Sequence, residues 1–164
     1  MRRQLCTLLL MGVLALLSGC AQPTLRPSPT APLWLGRLAL RVDSLPPQSL
    51  AASFELQGSA KQGTLLLSGP LGQAVARLDW QPGRATLMDA TGVRQFDSLE
   101  ALLTQSLGAP LPVHALFEWL AGRELVAAGW QADLSELAQG RLSARRLQPE
   151  PVAELRLLIE QATP

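Results

Sequence analysis

Apolar and polar residues alternate along most of the chain after residue 33, with the period of two that is typical of half-buried β-strands. The alternation is clearest at 34–43, 50–58, 73–80 and 152–161. The turn signals "LPPQ", "QPG" and "DATG" lie between such runs. We therefore predict antiparallel strands with one wet face, six of them before residue 97 and three to five after 129. Their apolar faces carry Trp34, Leu38, Leu40 and Val42; Leu50, Ala52, Phe54 and Leu56; Ala74, Ala76, Leu78 and Trp80; and Ala153, Leu155, Leu157 and Ile159.

Two helical patterns interrupt the strands. In "DSLEALLTQSLG", Asp97 is the predicted N-cap, Glu100 its capping-box partner and Gly108 the stop. In "PVHALFEWLAG" the helix is predicted to start on Pro112 and to end at Gly122. Strands, then helices, then strands is an α+β pattern. We predict an unclosed (half) antiparallel β-barrel of about 9–11 strands, with two to three helices as a lid.

A sheet of that size leaves room for an apolar cavity under the helices. The candidate lining residues are inward positions on the strands and on the second helix: Leu38, Leu40, Phe54, Leu56, Leu78, Trp80, Leu116 and Leu120. The tryptophans either line this cavity or belong to an ordinary core, and we favour the core for Trp34, Trp80, Trp119 and Trp130.

The segment "SGPLG", residues 68–72, predicts a hairpin turn with an unusual occupant. Pro70 suits the second position of a type I turn and Gly72 the fourth, which puts Leu71 third. A side chain there points outward, where Asn, Asp or Ser is the usual choice. Leu71 either folds back onto the sheet, stays exposed without a role, or contacts something apolar.

The amino terminus resembles a bacterial lipoprotein signal. "MRR" precedes the apolar run "LCTLLLMGVLALL", which is short for a membrane span, and the run ends in "LSGC". The resemblance implies a signal peptide over 1–19 and a Cys20 that carries an S-diacylglycerol and an N-acyl chain. Ala21, rather than Asp, favours the outer membrane. The alternative is an ordinary signal peptide or anchor with a chance cysteine.

Residues 20–33 then form a tether, because Pro23, Pro27, Pro29 and Pro32 favour extended polyproline II. At about 3.1 Å per residue, 21–33 could span about 40 Å. One domain follows over 34–164.

The net charge, the two cysteines and the single histidine limit the classes of function that the chain can have. Removing Arg2 and Arg3 from 14 basic residues leaves 12 against 13 acidic ones, which argues against a nucleic-acid partner. Cys6 leaves with the signal, so no internal disulfide is possible. His114, the only histidine, is predicted to form a solvated pair with Glu118. We predict a binding protein, neither an enzyme nor a carrier of metal or cofactor. A lipid hydrolase that pairs a serine with His114 is the catalytic alternative.

Over nearly the whole mature chain the sequence resembles the LolB family of outer-membrane lipoproteins. The matching segments, after the lipobox at Cys20, are "WLGRLALRV", "KQGTLLLSGPLGQAVARLDW", "GRATLMDATGVRQF" and "LGAPLPVHALFEWLAGRE". "SGPLG" before a strand and "LG-x-x-LPV-x-x-L-x-x-WL-x-G" are the most specific motifs. The second strand reads "FELQG" where many relatives carry a further aromatic residue, which favours a more aliphatic cavity lining.

The resemblance implies a periplasm-facing, lipid-anchored monomer that receives cargo lipoproteins from a soluble LolA-like carrier. It shelters their acyl chains and releases them into outer-membrane lipid. Leu71, flanked by Pro70 and Gly72, matches an exposed apolar residue that the family uses to deliver cargo to the membrane. The alternative function is that of a structural or accessory lipoprotein of an envelope assembly complex, which binds no acyl chains.

Overall fold

The computed structural model describes residues 31–127 and 129–163, and in them nine antiparallel strands form a single unclosed sheet. Its order is β6-β5-β4-β3-β2-β1-β9-β8-β7. The predicted signal peptide, Cys20 and most of the tether lie outside the described residues. The strands are β1 (Leu33–Val42), β2 (Gln48–Gly58), β3 (Gly63–Ser68), β4 (Ala74–Gln81), β5 (Arg84–Asp89), β6 (Gly92–Phe96), β7 (Trp130–Asp133), β8 (Arg141–Arg146) and β9 (Ala153–Thr163).

The predicted strand count and alternation are confirmed. Six strands precede residue 97 and three follow residue 129. In β1 the inward positions from Trp34 to Val42 are buried or half-buried, whereas Arg37 and Arg41 between them are exposed. Ala74, predicted to face inward, is exposed because it begins β4 where a bulge shifts the β3–β4 register. The alternation of apolar and polar residues therefore predicted the strands and their buried faces correctly, except at the start of β4.

Two helices connect the two edges of the sheet. The chain leaves β6 at one edge, forms α1 (Leu99–Leu107) and α2 (Val113–Leu120), and enters β7 at the opposite edge. A connection between opposite edges has to cross one face of the sheet, so the helices cover the inward face. This is the predicted α+β half-barrel with helices over one face, and a short 3-10 turn at Leu137–Gln139 adds to it.

The helix starts differ from the predictions by one residue. Ser98, not Asp97, is the N-cap of α1, and its hydroxyl accepts a hydrogen bond from the Ala101 amide at 3.0 Å. Glu100 is therefore not a capping-box partner, since the third residue after this N-cap is Ala101. Pro112 is the N-cap of α2 rather than its first helical residue. Adjacent Asp97 and Ser98 are both good caps, so sequence alone could not choose between them.

Aromatic side chains fill the space between α2 and the sheet. Phe117 of α2 packs edge-on against Trp34 with ring centroids 5.6 Å apart, and against Trp80 at 6.4 Å. The indole N–H groups of Trp80 and Trp119 donate to the carbonyls of Ser59 and Leu125. All four tryptophans are buried, as the core interpretation favours.

The connections divide between two ends of the sheet. The tether end holds the start of β1, the end of β9 and the β2–β3, β4–β5 and β7–β8 connections. The loop end holds the β1–β2, β3–β4, β5–β6 and β8–β9 connections and the link between the helices. No helix in the described residues is long and apolar enough to cross a membrane.

Candidate functional site

The β3–β4 hairpin presents Leu71 to solvent as the turn chemistry predicts. The Gly72 amide donates to the Gly69 carbonyl at 2.9 Å, and the Gly69 amide donates to the Gln73 carbonyl at 2.9 Å. These bonds place Pro70 and Leu71 at the two central positions of the turn. Leu71 is 92% exposed, so its side chain does not fold back onto the sheet.

The turn is held by more than its backbone. Gly72 has φ +78°, a conformation that side chains other than glycine rarely adopt. The Gln73 side chain accepts a hydrogen bond from the Leu71 amide at 3.2 Å and packs under Gly69, where a Cβ would come within 2.4 Å of it. The turn that carries Leu71 is therefore held rigid. Less conformational entropy is lost when the Leu71 side chain becomes buried against another surface.

The cavity candidates lie on the face that the helices cover. Leu38 and Leu116 are half-buried, and the other six are buried in one apolar cluster: Leu40, Phe54, Leu56, Leu78, Trp80 and Leu120. Strand register explains part of this grouping, because Leu56 and Leu78 both neighbour Leu65 of β3. The structure thus gathers the candidates into a single apolar interior that the side chains of α2 share.

A groove of about 770 Å³ opens into this interior at the tether end. Its apolar wall includes Trp34, Phe117 and Leu120, and Leu137 of the β7–β8 connection faces them. The volume lies within the range of small-molecule sites. Because Phe117 also packs on Trp80, the groove is continuous with the aromatic part of the core.

Charged side chains form the rim of this groove. The Arg123 guanidinium donates hydrogen bonds to the Glu118 carboxylate and holds the pKa of that carboxyl below its usual range. Glu118 therefore pairs chiefly with Arg123, and the predicted His114 partner adds only the smallest electrostatic contribution. His114 is exposed on the same rim. An apolar wall with a charged rim suits an amphipathic ligand.

Chemistry-bearing groups are sparse in the part of the chain that the structure describes. Its hydrogen bonds include none between His114 and a serine hydroxyl, and it holds no cluster of three or more potential metal ligands.

A second groove, of about 910 Å³, lies beside the hairpin and contacts Pro70 and Leu38. Its lining mixes the inward-facing Leu142 and Leu157 with small residues and ion-paired arginines of the outward sheet face, among them Ala39, Arg37 and Arg156.

Sequence reasoning missed two features of the loop end. Arg146 points inward from β8 and is only 2% exposed. Leu45, Val126 and Leu147 are exposed apolar residues outside the hairpin. Leu45 precedes two prolines in a turn, the same kind of signal that singled out Leu71, so the pattern could have revealed it.

Comparison with known proteins identifies relatives over most of the chain. The family model "Outer membrane lipoprotein LolB" matches residues 34–160. An outer-membrane lipoprotein LolB of Bordetella petrii is 34% identical, over 92% of this chain and 89% of the relative. Those of Chromobacterium violaceum and Azoarcus sp. are 35% and 31% identical, covering 70% and 90% of this chain and 66% and 89% of the relatives.

Proposed function

Because the chain belongs to the LolB family of outer-membrane lipoproteins, a family of lipoprotein-trafficking factors, we propose that it accepts lipoproteins from a soluble periplasmic carrier and inserts them into the outer membrane. It is a lipid-anchored outer-membrane protein that faces the periplasm. Cys20 is the proposed site of the anchor. Lipid chains too apolar to cross water have to be sheltered during the transfer.

The insertion step is supported chiefly by one observation: Leu71 is exposed on a turn that hydrogen bonds hold rigid. Burial of one leucine side chain in the acyl boundary of a bilayer contributes about 1.5–3 kcal/mol. Such a contact is strong enough to bias the encounter with the membrane and weak enough to reverse. It lets the domain touch the bilayer repeatedly as successive cargo molecules arrive.

Shelter of the acyl chains is assigned to the groove at the tether end and the apolar interior behind it. Trp34, Phe117 and Leu120 form a wall that an acyl chain can cover, while Lys61 and the Glu118–Arg123 pair stay at the aqueous rim. Phe117 blocks the way inward, since it packs on both Trp34 and Trp80. Deeper entry of a chain requires α2 to tilt and move Phe117 aside. Catalysis has no part in this proposal.

The test of the insertion step is transfer of a labelled lipoprotein from its carrier to this protein and then to liposomes. Leu71→Glu should fold normally and accept cargo, but it should fail to deliver it, because a carboxylate cannot enter the acyl region. Gln62→Glu adds the same charge at an exposed turn of the tether end and should deliver at the normal rate. Normal delivery by Leu71→Glu would refute the role of the hairpin.

A separate test addresses the accessory-lipoprotein alternative. A fluorescent fatty acid should bind the purified protein and be displaced by unlabelled fatty acid. Ala121→Trp, which adds a large side chain to an exposed position in the groove wall, should weaken binding. Gln139→Trp, at an exposed position of the β7–β8 connection outside the groove lining, is the matched control. Absence of binding by the parent protein would favour an accessory lipoprotein.

A further inference from the structure

The loop end exposes apolar side chains well beyond the β3–β4 hairpin. We propose that Leu45, Val126 and Leu147, on the β1–β2, α2–β7 and β8–β9 connections, form a second lipid-contacting site, separate from Leu71, that orients the domain on the bilayer. This inference rests on the proposed function, because it assumes that Cys20 anchors the chain in that bilayer.

The distribution of exposed apolar residues is the first support. Of the ten large apolar side chains that the described residues expose, nine lie in connections that reach the loop end or within two residues of a strand terminus there. Leu45 is 100% exposed, Val126 95% and Leu147 58%. Leu158 lies elsewhere, and the nine are Leu45, Leu71, Val75, Met88, Val93, Leu125, Val126, Leu147 and Val152. Such a concentration on one end marks an interaction surface.

The three connections are held against one another. The Asp43 amide donates to the Val152 carbonyl at 2.8 Å, which joins the β1–β2 and β8–β9 connections. Gly129 packs so closely on the β8–β9 connection that a Cβ there would lie 1.7 Å from the Gln148 carbonyl oxygen. Val126 is next to Ala127, which pairs with the first residue of β7. The three connections that carry these apolar side chains therefore lie together at the loop end.

A buried arginine fixes this arrangement from inside. The Arg146 guanidinium donates two hydrogen bonds to the Pro151 carbonyl, at 2.8 and 3.2 Å, and one to the Pro110 carbonyl at 3.4 Å. One side chain thus ties the β8–β9 connection to the link between the helices. In the β1–β2 connection the Ser44 hydroxyl donates to the Pro46 carbonyl at 2.8 Å. Pre-formed loops lose little entropy on binding.

The form of this surface fits a lipid bilayer better than a protein. The three exposed side chains come from three separate connections, and Asp43 and Glu150 line the groove that contains Leu45. A stable protein interface needs a closely complementary surface, whereas separate apolar tips can each enter an acyl boundary. The nearby carboxylates favour zwitterionic over anionic lipid.

The length of the tether supports the same assignment. The described chain begins beside the tether end, where Leu33 pairs with Gln57 and Thr163. The 10 residues of β1 separate that end from the loop end by about 33 Å. Leu33 belongs to β1 and the Pro32 carbonyl accepts a hydrogen bond from the Gly58 amide, so the tether outside the described residues is 21–30. A flexible 10-residue linker has a mean span of only about 17 Å, whereas an extended proline-rich one reaches about 31 Å, close to the separation of the two ends. The loop end therefore reaches the bilayer that holds Cys20 when residues 21–30 are extended.

The mature sequence offers a direct experiment, because Cys20 is its only cysteine and is acylated in this proposal. Single cysteines are introduced by Leu45→Cys, Val126→Cys, Leu147→Cys and Leu71→Cys, and at the tether end by Gln139→Cys. The acylated full-length protein is labelled with an environment-sensitive dye in phosphatidylcholine vesicles that contain a lipid-borne quencher. We expect quenching at all four loop-end sites and none at Gln139→Cys.

An unlabelled variant tests whether the contact depends on the dye, and a shorter tether tests whether the loop end has to reach the bilayer. The triple variant Leu45→Ser, Val126→Ser and Leu147→Ser should weaken vesicle binding of the unacylated protein by more than about a hundredfold, whereas Gln62→Ser should not. Deletion of residues 26–29 shortens the tether by about 12 Å and should abolish quenching at Leu45→Cys. Fatty-acid binding should survive both changes.

The outcomes separate this inference from the proposed function. Quenching confined to Leu71→Cys would overturn the second site and leave the hairpin role intact. Dye responses at Leu45, Val126 and Leu147 to the soluble carrier but not to vesicles would identify a protein-docking face and would also overturn it. Quenching at all four sites in a protein that binds no fatty acid would support the second site and count against the proposed function.

Discussion

The two ends of the sheet use similar apolar residues in opposite ways. At the tether end Trp34, Leu120 and Leu137 turn inward to line a groove, while the turn residues Lys61, Gln62 and Pro82 face water. At the loop end Leu45, Leu71 and Leu147 face outward. A buried leucine stabilises the fold, whereas an exposed one contributes little and raises the risk of aggregation. The difference supports the proposals that the tether end holds a ligand and that the loop end contacts a membrane surface.

The largest expected effect concerns the residue that organises the loop end. Arg146→Ala should lower the free energy of unfolding by about 3 kcal/mol, because it removes three hydrogen bonds to the Pro151 and Pro110 carbonyls and leaves a cavity where the buried side chain packed. Burial lowers the pKa of the Arg146 guanidinium, but arginine remains charged at physiological pH. Urea unfolding monitored by tryptophan fluorescence measures the change.

The neighbouring residue provides the control. Arg145 carries the same charge on the exposed face of β8 and lies 3.4 Å from Glu154. Arg145→Ala should change the unfolding free energy by no more than about 0.5 kcal/mol. Equal midpoints for the two alanine variants would show that the loop end does not depend on the buried guanidinium.

An effect of intermediate size is expected from two glycine substitutions, one at each end of the sheet. They should affect stability equally and lipoprotein delivery differently. Gly72 at the loop end has φ +78°, Gly83 at the tether end has φ +75°, and an added Cβ would meet nothing within 4 Å at either. Gly72→Ala and Gly83→Ala should therefore each cost about 1 kcal/mol of stability through backbone strain alone. Only Gly72→Ala should slow lipoprotein delivery, because it re-aims Leu71. Thermal unfolding and the transfer assay, run on both variants, test this; equal delivery rates would contradict it.

The smallest expected effect is a pH dependence on the outward face. Hydrogen bonding from Arg156, together with the charges of Arg145 and Arg156, holds the pKa of the Glu154 carboxyl below its ordinary value. Such a carboxyl stabilises the fold above its unfolded pKa, and this contribution disappears as the pH falls through the folded value. Glu154→Gln should thus cost a few tenths of a kcal/mol at pH 7, and this cost should shrink as the pH is lowered below the ordinary pKa of a glutamate. A cost that grows on acidification would contradict the assignment.

The sequence predicted the strands well because each depends on a local period of two. It also placed Leu71, since Gly-Pro-x-Gly constrains the turn on its own. It could not tell inward from outward leucines in the connections. Leu134 and Leu137 lie in a polar segment much like those around Leu45 and Leu147, yet they pack inward, because that connection passes beside the end of α2. The orientation of these residues is set by tertiary contacts that no local pattern reports.

The central position of β1, with β2 on one side and β9 on the other, has a consequence for biogenesis. A sheet whose middle joins the first and last strands needs a pairing of very long sequence separation, and such pairings slow folding. The carboxyl-terminal strand has to leave the secretion channel before that pairing can begin. Folding of this sheet is therefore completed only after β9 has been exported.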